Sequence, residues 1–187
     1  MENTDWDDIQ AVLNGDRTAF ERLIRRYQGQ ITRLCWRFSR DSLVCQRLVQ
    51  DTFVEAFISL KSYKAKAPFL HWLKKIGTRT GYRFWKERDR QKRFLPLEDF
   101  DFAEKNHDEE IEPTEAAEIL HALLERLASA DRLVLTLMYF EDCPIKEIAQ
   151  RMGWTQAAVK MRALRARKKI KKIAEKENLL EKLEWMR

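Results

Sequence analysis

Apolar residues recur along most of the chain at spacings of three and four, the pattern of amphipathic helices. No long stretch alternates with the two-residue period of a strand. The N-terminal part carries five apolar stripes, which begin at Trp6, Phe20, Ile31, Leu43 and Phe69. We therefore expect five helices there, the last of them running from just after Pro68 to about Arg90.

Residues that can accept hydrogen bonds from free backbone amides mark where several of these helices begin. Asp16 or Thr18 can cap the second helix, and Glu21 can complete a capping box on Thr18. Asp41 can cap the fourth helix, and Gly15 separates the first from the second. The pattern predicts an all-α domain.

Residues 144–172 have the pattern of a helix-turn-helix. A short apolar stripe is formed by Ile145, Ile148, Ala149 and Met152. Gly153 follows where a left-handed turn needs no Cβ, and Thr155 can cap a second helix. We expect Val159 to face back toward Ala149, whose small side chain lets the two helices cross closely.

The second of these helices is strongly basic. Its charged residues up to position 172 are Lys160, Arg162, Arg165, Arg167, Lys168, Lys169, Lys171 and Lys172. A helix about 10–12 Å in diameter fits a DNA major groove about 12 Å wide, so duplex DNA is the expected partner. The alternative is an ordinary helical hairpin with a solvated basic face.

The chain has 187 residues and a net charge of +6, which suits a polyanionic partner. No apolar run approaches the roughly 20 residues of a membrane span. The acidic start, MENTDWDD, is unlike a signal or transit peptide, so we expect a cytoplasmic protein. Cys35, Cys45 and Cys143 are odd in number and lack metal-ligand spacing, which predicts reduced structural thiols and no metal site.

Charge divides the chain into segments. Residues 61–93 contain twelve bases and two acids, whereas residues 96–113 contain eight acids and one base. The acidic stretch has a proline at each end and no helical period, so it is a candidate linker, either positioned along protein or a disordered tether. The predicted layout is a helical domain over 1–95, an acidic linker over 96–113 and a helix-turn-helix domain over 114–187.

Aromatic residues are interleaved with the bases of the first basic segment. They are Tyr63, Phe69, Trp72, Tyr82, Phe84, Trp85 and Phe94. Aromatic faces stack on unpaired bases while Lys and Arg follow the backbone, so the segment suits single-stranded or melting DNA. The alternative is an aromatic core beneath a solvated basic surface.

No catalytic constellation is present in the sequence. The three histidines lie apart, at His71, His107 and His121, and no glycine-rich phosphate loop or metal signature accompanies the acids. We therefore expect neither an enzyme nor a cofactor-binding protein.

Several segments together resemble the extracytoplasmic-function (ECF) class of bacterial sigma factors. The resemblance lies in residues 15–20 with Leu23 and Tyr27, 50–53 with Ala56, 69–73 with Ile76, 133–139, 145–149, 159–162 and 165–167. These segments occur in the order of that class and cover nearly the whole chain. The resemblance implies two helical domains that bind core RNA polymerase and promoter DNA, usually under the control of an anti-sigma factor.

The resemblance also implies roles for individual residues. Core polymerase would be bound through Gln50, Asp51 and Phe53. The −10 element would be opened and bound through Tyr63, Lys66, Trp72, Arg79, Arg83 and Trp85, with the loop 63–68 capturing a flipped base. The −35 duplex would be contacted by Thr155, Gln156, Lys160, Arg162, Arg165 and Arg167.

The chain departs from the class in two places. Residues 45–47, Cys-Gln-Arg, stand where the class usually has Ala-Glu-Asp, and Arg79 and Arg83 stand where it often has Asn and Asp. The second departure predicts an unusual −10 preference. Two rival functions remain: a two-domain DNA-binding regulator that acts without core polymerase, and a sigma-like interaction protein that cannot open promoters. The tail, 173–187, is expected to extend a helix packed on its own domain, and the alternative is a partner-binding element.

Overall fold

The computed structural model describes residues 5–92 and 115–177, and all regular structure in these ranges is helical. The described part contains eight α-helices and a 3-10 turn. They are α1 Asp5–Leu13, α2 Arg17–Cys35, α3 Ser42–Ser59, the turn Leu60–Ser62, α4 Phe69–Lys92, α5 Glu115–Glu125, α6 Ser129–Phe140, α7 Ile145–Met152 and α8 Gln156–Lys176. The predicted all-α fold is confirmed.

The described residues form two compact units. The first comprises residues 5–85, and the second comprises residues 86–92 together with 115–177. The acidic segment 96–113 and the tail beyond residue 177 lie outside the described residues, as do Phe94 and His107.

Helix α2 differs from the predicted pair of helices. The Asp16 carboxylate accepts the Thr18 amide at 2.9 Å and is the N-cap, so the capping box on Thr18 is wrong. The prediction that a separate helix begins at Ile31 is also wrong, because α2 continues without a break to Cys35. A mid-helix glycine, Gly29, costs only about 1 kcal/mol. The stripes on either side of it bury a single face, represented by Leu23 and Leu34.

An ionic cluster fixes α1 to α2 in the first unit. The Asp8 carboxylate is fully buried and accepts Arg22 Nε at 2.7 Å and Arg26 Nη2 at 2.8 Å. Beside it, the Tyr27 hydroxyl donates to Asp5. Burial and the Asp5 charge raise the pKa of Tyr27 to about 12, because both disfavour the phenolate.

Helices α7 and α8 form the predicted helix-turn-helix in the second unit. Gly153 takes the left-handed conformation with φ of 70°, and Thr155 Oγ1 accepts the Ala158 amide at 3.1 Å as the N-cap of α8. Ala149 and Val159 are both buried in this unit. The predicted turn and cap are therefore confirmed, and they fix where α8 begins.

Candidate functional site

The outward side of α8 is the first candidate interface. The inward side packs on its own unit through Val159, Ala163 and Ala166, all buried. Because successive helical residues turn by about 100°, the opposite side faces solvent along the whole helix. Of the predicted −35 residues, Thr155, Gln156 and Lys160 are exposed at the amino end of this helix.

Two of the predicted −35 arginines contact side chains of their own unit, and of these Arg162 is half-buried whereas Arg167 is exposed. Arg162 Nη1 lies 3.6 Å from the Asp131 carboxylate of α6, and its guanidinium lies 4.6 Å from the centre of the Trp154 ring. Arg167 Nε donates to the Tyr139 hydroxyl at 3.0 Å. Sequence reasoning gave no role to these partners, because they come from outside the basic run.

Arg165 and Arg162 both pair with Asp131, and Arg165 is the more available of the two for contact with DNA. Its Nη2 lies 3.4 Å from the same carboxylate oxygen, but 60% of its side chain is exposed against 29% for Arg162. A surface ion pair of this kind is worth at most about 1 kcal/mol, so Arg165 can exchange it for a phosphate at little cost.

Met161 and Leu164 also lie on the exposed part of α8. Their relative exposures are 55% and 44%, high for large apolar side chains. Neither residue was among those that the sequence predicted to contact DNA. The sequence signal that could have identified them is their three-residue spacing within a run of bases that contains no acid.

Trp85 corrects the predicted −10 surface. It is only 2% exposed, its indole N–H donates to the Phe38 carbonyl oxygen at 2.7 Å, and the two rings lie 4.6 Å apart. A side chain buried in this way cannot stack on a base, so its predicted place on the DNA surface is wrong. The available signal was the glycine pair at positions 77 and 81, which precedes Trp85 at the same four-residue interval.

The loop between the 3-10 turn and α4 rests on an aromatic cluster. The rings of Tyr63, Phe69 and Trp72 lie 5.4–5.5 Å apart in every pairing. The Tyr63 hydroxyl donates to the Ala67 carbonyl at 2.7 Å and closes the loop. Tyr63 and Trp72 are half-buried, whereas Phe69 is fully buried beneath them.

The tip of the same loop is exposed and carries backbone strain. Ala65 has φ of 52°, an uncommon conformation for a residue with a Cβ. Lys64 and Lys66 flank it, and both are exposed. Backbone strain of this kind is often found at functional sites. Here the strained residue lies between Lys64 and Lys66, in the loop that follows Tyr63 of the aromatic cluster.

Arg79 and Arg83, which were predicted to contact the −10 element, are both exposed on α4. The Arg83 guanidinium pairs with the Glu55 carboxylate of α3. Both partners of this pair are solvent-accessible, so the contact contributes little to stability and leaves Arg83 near the surface.

An apolar groove between α2 and α3 is the second candidate interface. Its volume is about 540 Å³. It is lined by Phe20, Ile24, Gln28, Thr32, Gln46, Val49, Gln50, Phe53, Val54 and Phe57. Val54 and Phe57 are exposed at its rim, and Ile58 is exposed on the same helix. Large apolar side chains exposed together commonly mark a protein-binding surface.

The three predicted polymerase-binding residues occupy different positions around this groove. Gln50 is exposed and lines it. Phe53 is buried and forms its wall, with its ring edge-on to Phe20 at 6.5 Å. Asp51 is exposed on α3 but does not line the groove.

The described residues 5–92 and 115–177 hold neither a metal cluster nor a membrane span. No group of three or more His, Cys, Asp or Glu side chains there could hold a metal ion. No helix in those residues is long and apolar enough to cross a membrane. All three cysteines are buried free thiols, and burial raises the pKa of Cys35 to about 12.

Comparison with known proteins identifies the family. The sigma-70 region 2 family matches residues 23–91, and the sigma-70 region 4 family matches residues 117–170. The RNA polymerase sigma-H factor of Pseudomonas aeruginosa is 30% identical over 88% of this chain and 90% of its own length. The ECF RNA polymerase sigma-E factor of Haemophilus influenzae is 28% identical over 89% and 93%.

Solved structures share the fold at lower identity. The structure of CnrH in complex with the cytosolic domain of CnrY matches with a TM-score of 0.59 at 23% identity, over 91% of this chain and 97% of that one. The sigma factor RpoE of Bartonella quintana, in complex with the anti-sigma factor NepR, matches with a TM-score of 0.57 at 17% identity, over 83% and 96%. The chain therefore belongs to the sigma-70 family of RNA polymerase sigma factors, in its extracytoplasmic-function class.

Proposed function

We propose that this sigma factor binds bacterial core RNA polymerase with its first domain and positions the enzyme on promoters with its second. Within this proposal the domains span 1–95 and 114–187, joined by the acidic linker 96–113. The chain confers promoter specificity and performs no catalysis of its own. It acts in the cytoplasm, where the chromosome and the polymerase are.

The observation that carries the polymerase-binding part is the exposed apolar groove between α2 and α3. Val54 and Phe57 at its rim and Ile58 beside it are solvent-exposed. A DNA-binding regulator that works without polymerase has no need for an exposed apolar groove of this kind. Gln50 supplies a polar contact in the groove, and Phe53 forms its wall. Asp51 is exposed on α3 outside the groove and offers a separate polar contact.

The −10 element is the proposed ligand of the loop 63–68 and the basic side of α4. Tyr63 and Trp72 offer half-buried aromatic side chains, and Lys66 and Arg79 offer positive charge nearby in sequence. Base-on-aromatic stacking contributes about 1–3 kcal/mol per base, enough to hold an opened base that is already close to unpairing. Trp85 does not contact DNA in this proposal. It is a buried residue that fixes the position of α4.

The −35 element is the proposed ligand of the outward side of α8. Thr155, Gln156, Lys160 and Arg165 face solvent there and can contact bases or phosphates. Arg162 instead contacts Asp131 of α6 and the Trp154 ring, so its proposed role is to position the helix. Arg167 is exposed, and it can exchange its hydrogen bond with Tyr139 for a phosphate.

An anti-sigma factor is the proposed regulator. The two solved relatives described above are each complexes, RpoE with the anti-sigma factor NepR and CnrH with a domain of CnrY. The apolar groove is a surface that such a protein could occupy in competition with core polymerase.

Reconstituted transcription tests the proposal. The purified chain should form a complex with bacterial core RNA polymerase and yield specific run-off transcripts from fragmented genomic DNA of the source organism. Val54→Glu combined with Ile58→Glu should weaken core binding by tenfold or more, because it places two charges at an apolar interface. Leu13→Glu, which charges an exposed apolar residue of α1, should leave core binding unchanged.

The rival functions give different results in the same experiment. A regulator that acts alone would bind specific duplex DNA without core polymerase and would not co-elute with it. A sigma-like interaction protein would bind core but yield no transcript. Either result would refute the proposed function.

A further inference from the structure

An apolar ridge runs along the amino-terminal half of the exposed side of α8. Ala157, Met161 and Leu164 lie at spacings of four and three, and Lys168 continues the same line. At about 100° per residue these positions lie opposite the buried Val159 and Ala166. The ridge is therefore the part of α8 that a partner would meet first.

Bases line both sides of this ridge. Lys160 and Lys171 follow one side of it, and Arg165 and Lys172 follow the other. All four are exposed, and none of the acids in α8 precedes Glu175. An apolar centre between two basic rows is complementary to a partner that has anionic walls and an apolar floor.

The DNA major groove has that arrangement wherever thymine is present. Its walls are phosphates, and its floor presents the thymine 5-methyl group, the apolar feature that distinguishes thymine in this groove. Residues near the amino end of a recognition helix are those that reach base edges. Met161 and Leu164 lie in the second and third turns of α8, within that part of the helix.

Resting on the proposed function, we infer that Met161 and Leu164 recognise thymine methyl groups in the −35 element. Their Cα atoms are separated by about 4.5 Å along the helix axis, at 1.5 Å per residue. This rise is close to the 3.4 Å step of one DNA strand, so the two side chains contact neighbouring base pairs. The −35 element of this sigma factor therefore contains two adjacent A·T pairs that are bound by apolar contact.

Charge favours DNA over a protein as the occupant of the ridge. An apolar patch that binds a protein normally has a rim of mixed polar residues, whereas the α8 residues that flank this one over its apolar length are the cations Lys160 and Arg165. A strongly acidic protein segment is the competing occupant, and the experiment below distinguishes it.

Replacement of thymine by uracil tests the contact, because it removes the 5-methyl group and leaves every hydrogen-bonding group in place. The preferred −35 duplex is first selected from a random pool with the complex of this chain and core polymerase. Each thymine of that duplex is then replaced singly by uracil, and affinity is measured. We expect about fourfold weaker binding at two adjacent positions, the value of one buried methyl group.

Variants of the ridge assign those positions. Met161→Ala should abolish the thymine preference at one position and Leu164→Ala at the other, with each variant still binding the uracil duplex as wild type does. Both side chains are exposed, so folding is not at risk. The matched control is Lys168→Ala on the same line of α8, which should weaken binding to the thymine and uracil duplexes equally.

Three results would overturn the inference. Equal affinity for thymine and uracil at every position, with specific binding retained, would refute methyl recognition while leaving the proposed function intact. A thymine preference that survives in both variants would assign it to other residues. If Met161→Ala and Leu164→Ala weaken binding to core polymerase or an acidic protein but not to DNA, the ridge is a protein interface. If no sequence-specific complex forms at all, the proposed function itself fails.

Discussion

The Trp85 indole N–H donates to the Phe38 carbonyl oxygen at 2.7 Å, and the two aromatic rings pack 4.6 Å apart. This pair joins α4 to the segment that follows α2. Gly81, one turn before Trp85, lies directly against the Phe38 ring. The contact with Phe38 therefore depends on two residues on the same side of α4: the large Trp85 and Gly81, which has no side chain.

Replacement of Trp85 should destabilise the first unit rather than remove a DNA contact. We expect Trp85→Ala to lower the free energy of unfolding by about 3–5 kcal/mol, because it leaves a large cavity and an unpaired carbonyl. Urea unfolding followed by far-UV circular dichroism measures this. Leu43→Ala, at an exposed position of α3, is the control and should change stability by less than about 0.5 kcal/mol. An unchanged midpoint for Trp85→Ala would show that the ring is not part of the core.

Alanine at two helical glycines should have opposite effects. A Cβ at Gly81 would lie 2.3 Å from Phe38 Cγ, so Gly81→Ala should destabilise by about 1–3 kcal/mol despite its better helix propensity. A Cβ at Gly29 meets nothing within 4 Å, so Gly29→Ala should stabilise by about 0.5–1 kcal/mol. Thermal or urea unfolding compares the two. Equal effects in either direction would show that the close approach of Phe38 does not constrain α4.

The helices could be predicted from sequence because each buries one face, and a buried face leaves a regular apolar spacing. The predicted helix break before Ile31 was wrong for a related reason. Two apolar stripes lie on one face of α2, and each stripe taken separately looks like a helix of its own. Aromatic residues in a basic segment gave no such guide. Trp72 is partly exposed and Trp85 is buried, although both are tryptophans in the same basic, aromatic-rich segment. Composition alone could not distinguish them.

Side-chain direction in the candidate interfaces could be predicted only in part. The turn at Gly153 and the cap at Thr155 are local, so the sequence placed α8 correctly. The Asp131 carboxylate that turns Arg162 inward lies on another helix, 31 residues earlier. A contact of that kind depends on tertiary packing, which spacing along one helix does not reveal.

Stability should fall as the pH rises above the ordinary thiol range. Burial raises the pKa of Cys35 to about 12 and that of Cys45 to about 11, from 9.0. Above about pH 9 the unfolded chain releases thiol protons that the folded chain retains, so the free energy of unfolding decreases until the folded thiols also ionise. The contribution is fully present below pH 9 and is lost as the pH rises toward 11–12.

Urea midpoints measured near pH 8 and near pH 10.5 check this linkage. The midpoint should drop between the two for the wild type, and drop less for the double variant Cys35→Ala, Cys45→Ala. Some decrease should persist in the variant, because the raised pKa of Tyr27 acts in the same direction. Identical pH dependence in the two proteins would exclude the thiols as its source.

The salt dependence of DNA binding should distinguish Lys160 from Arg162. The two residues lie two positions apart on one basic helix and look equivalent in sequence. Lys160 is exposed and free to meet a phosphate, so Lys160→Ala should reduce the slope of log K against log salt by about 0.9 on a −35 duplex. Arg162 is held by Asp131 and the Trp154 ring, so Arg162→Ala should leave the slope unchanged and lower the stability of the second unit by about 1 kcal/mol. Binding of the complex with core polymerase, measured at several salt concentrations, gives both slopes. A reduced slope for Arg162→Ala would mean that DNA draws Arg162 away from Asp131 onto a phosphate.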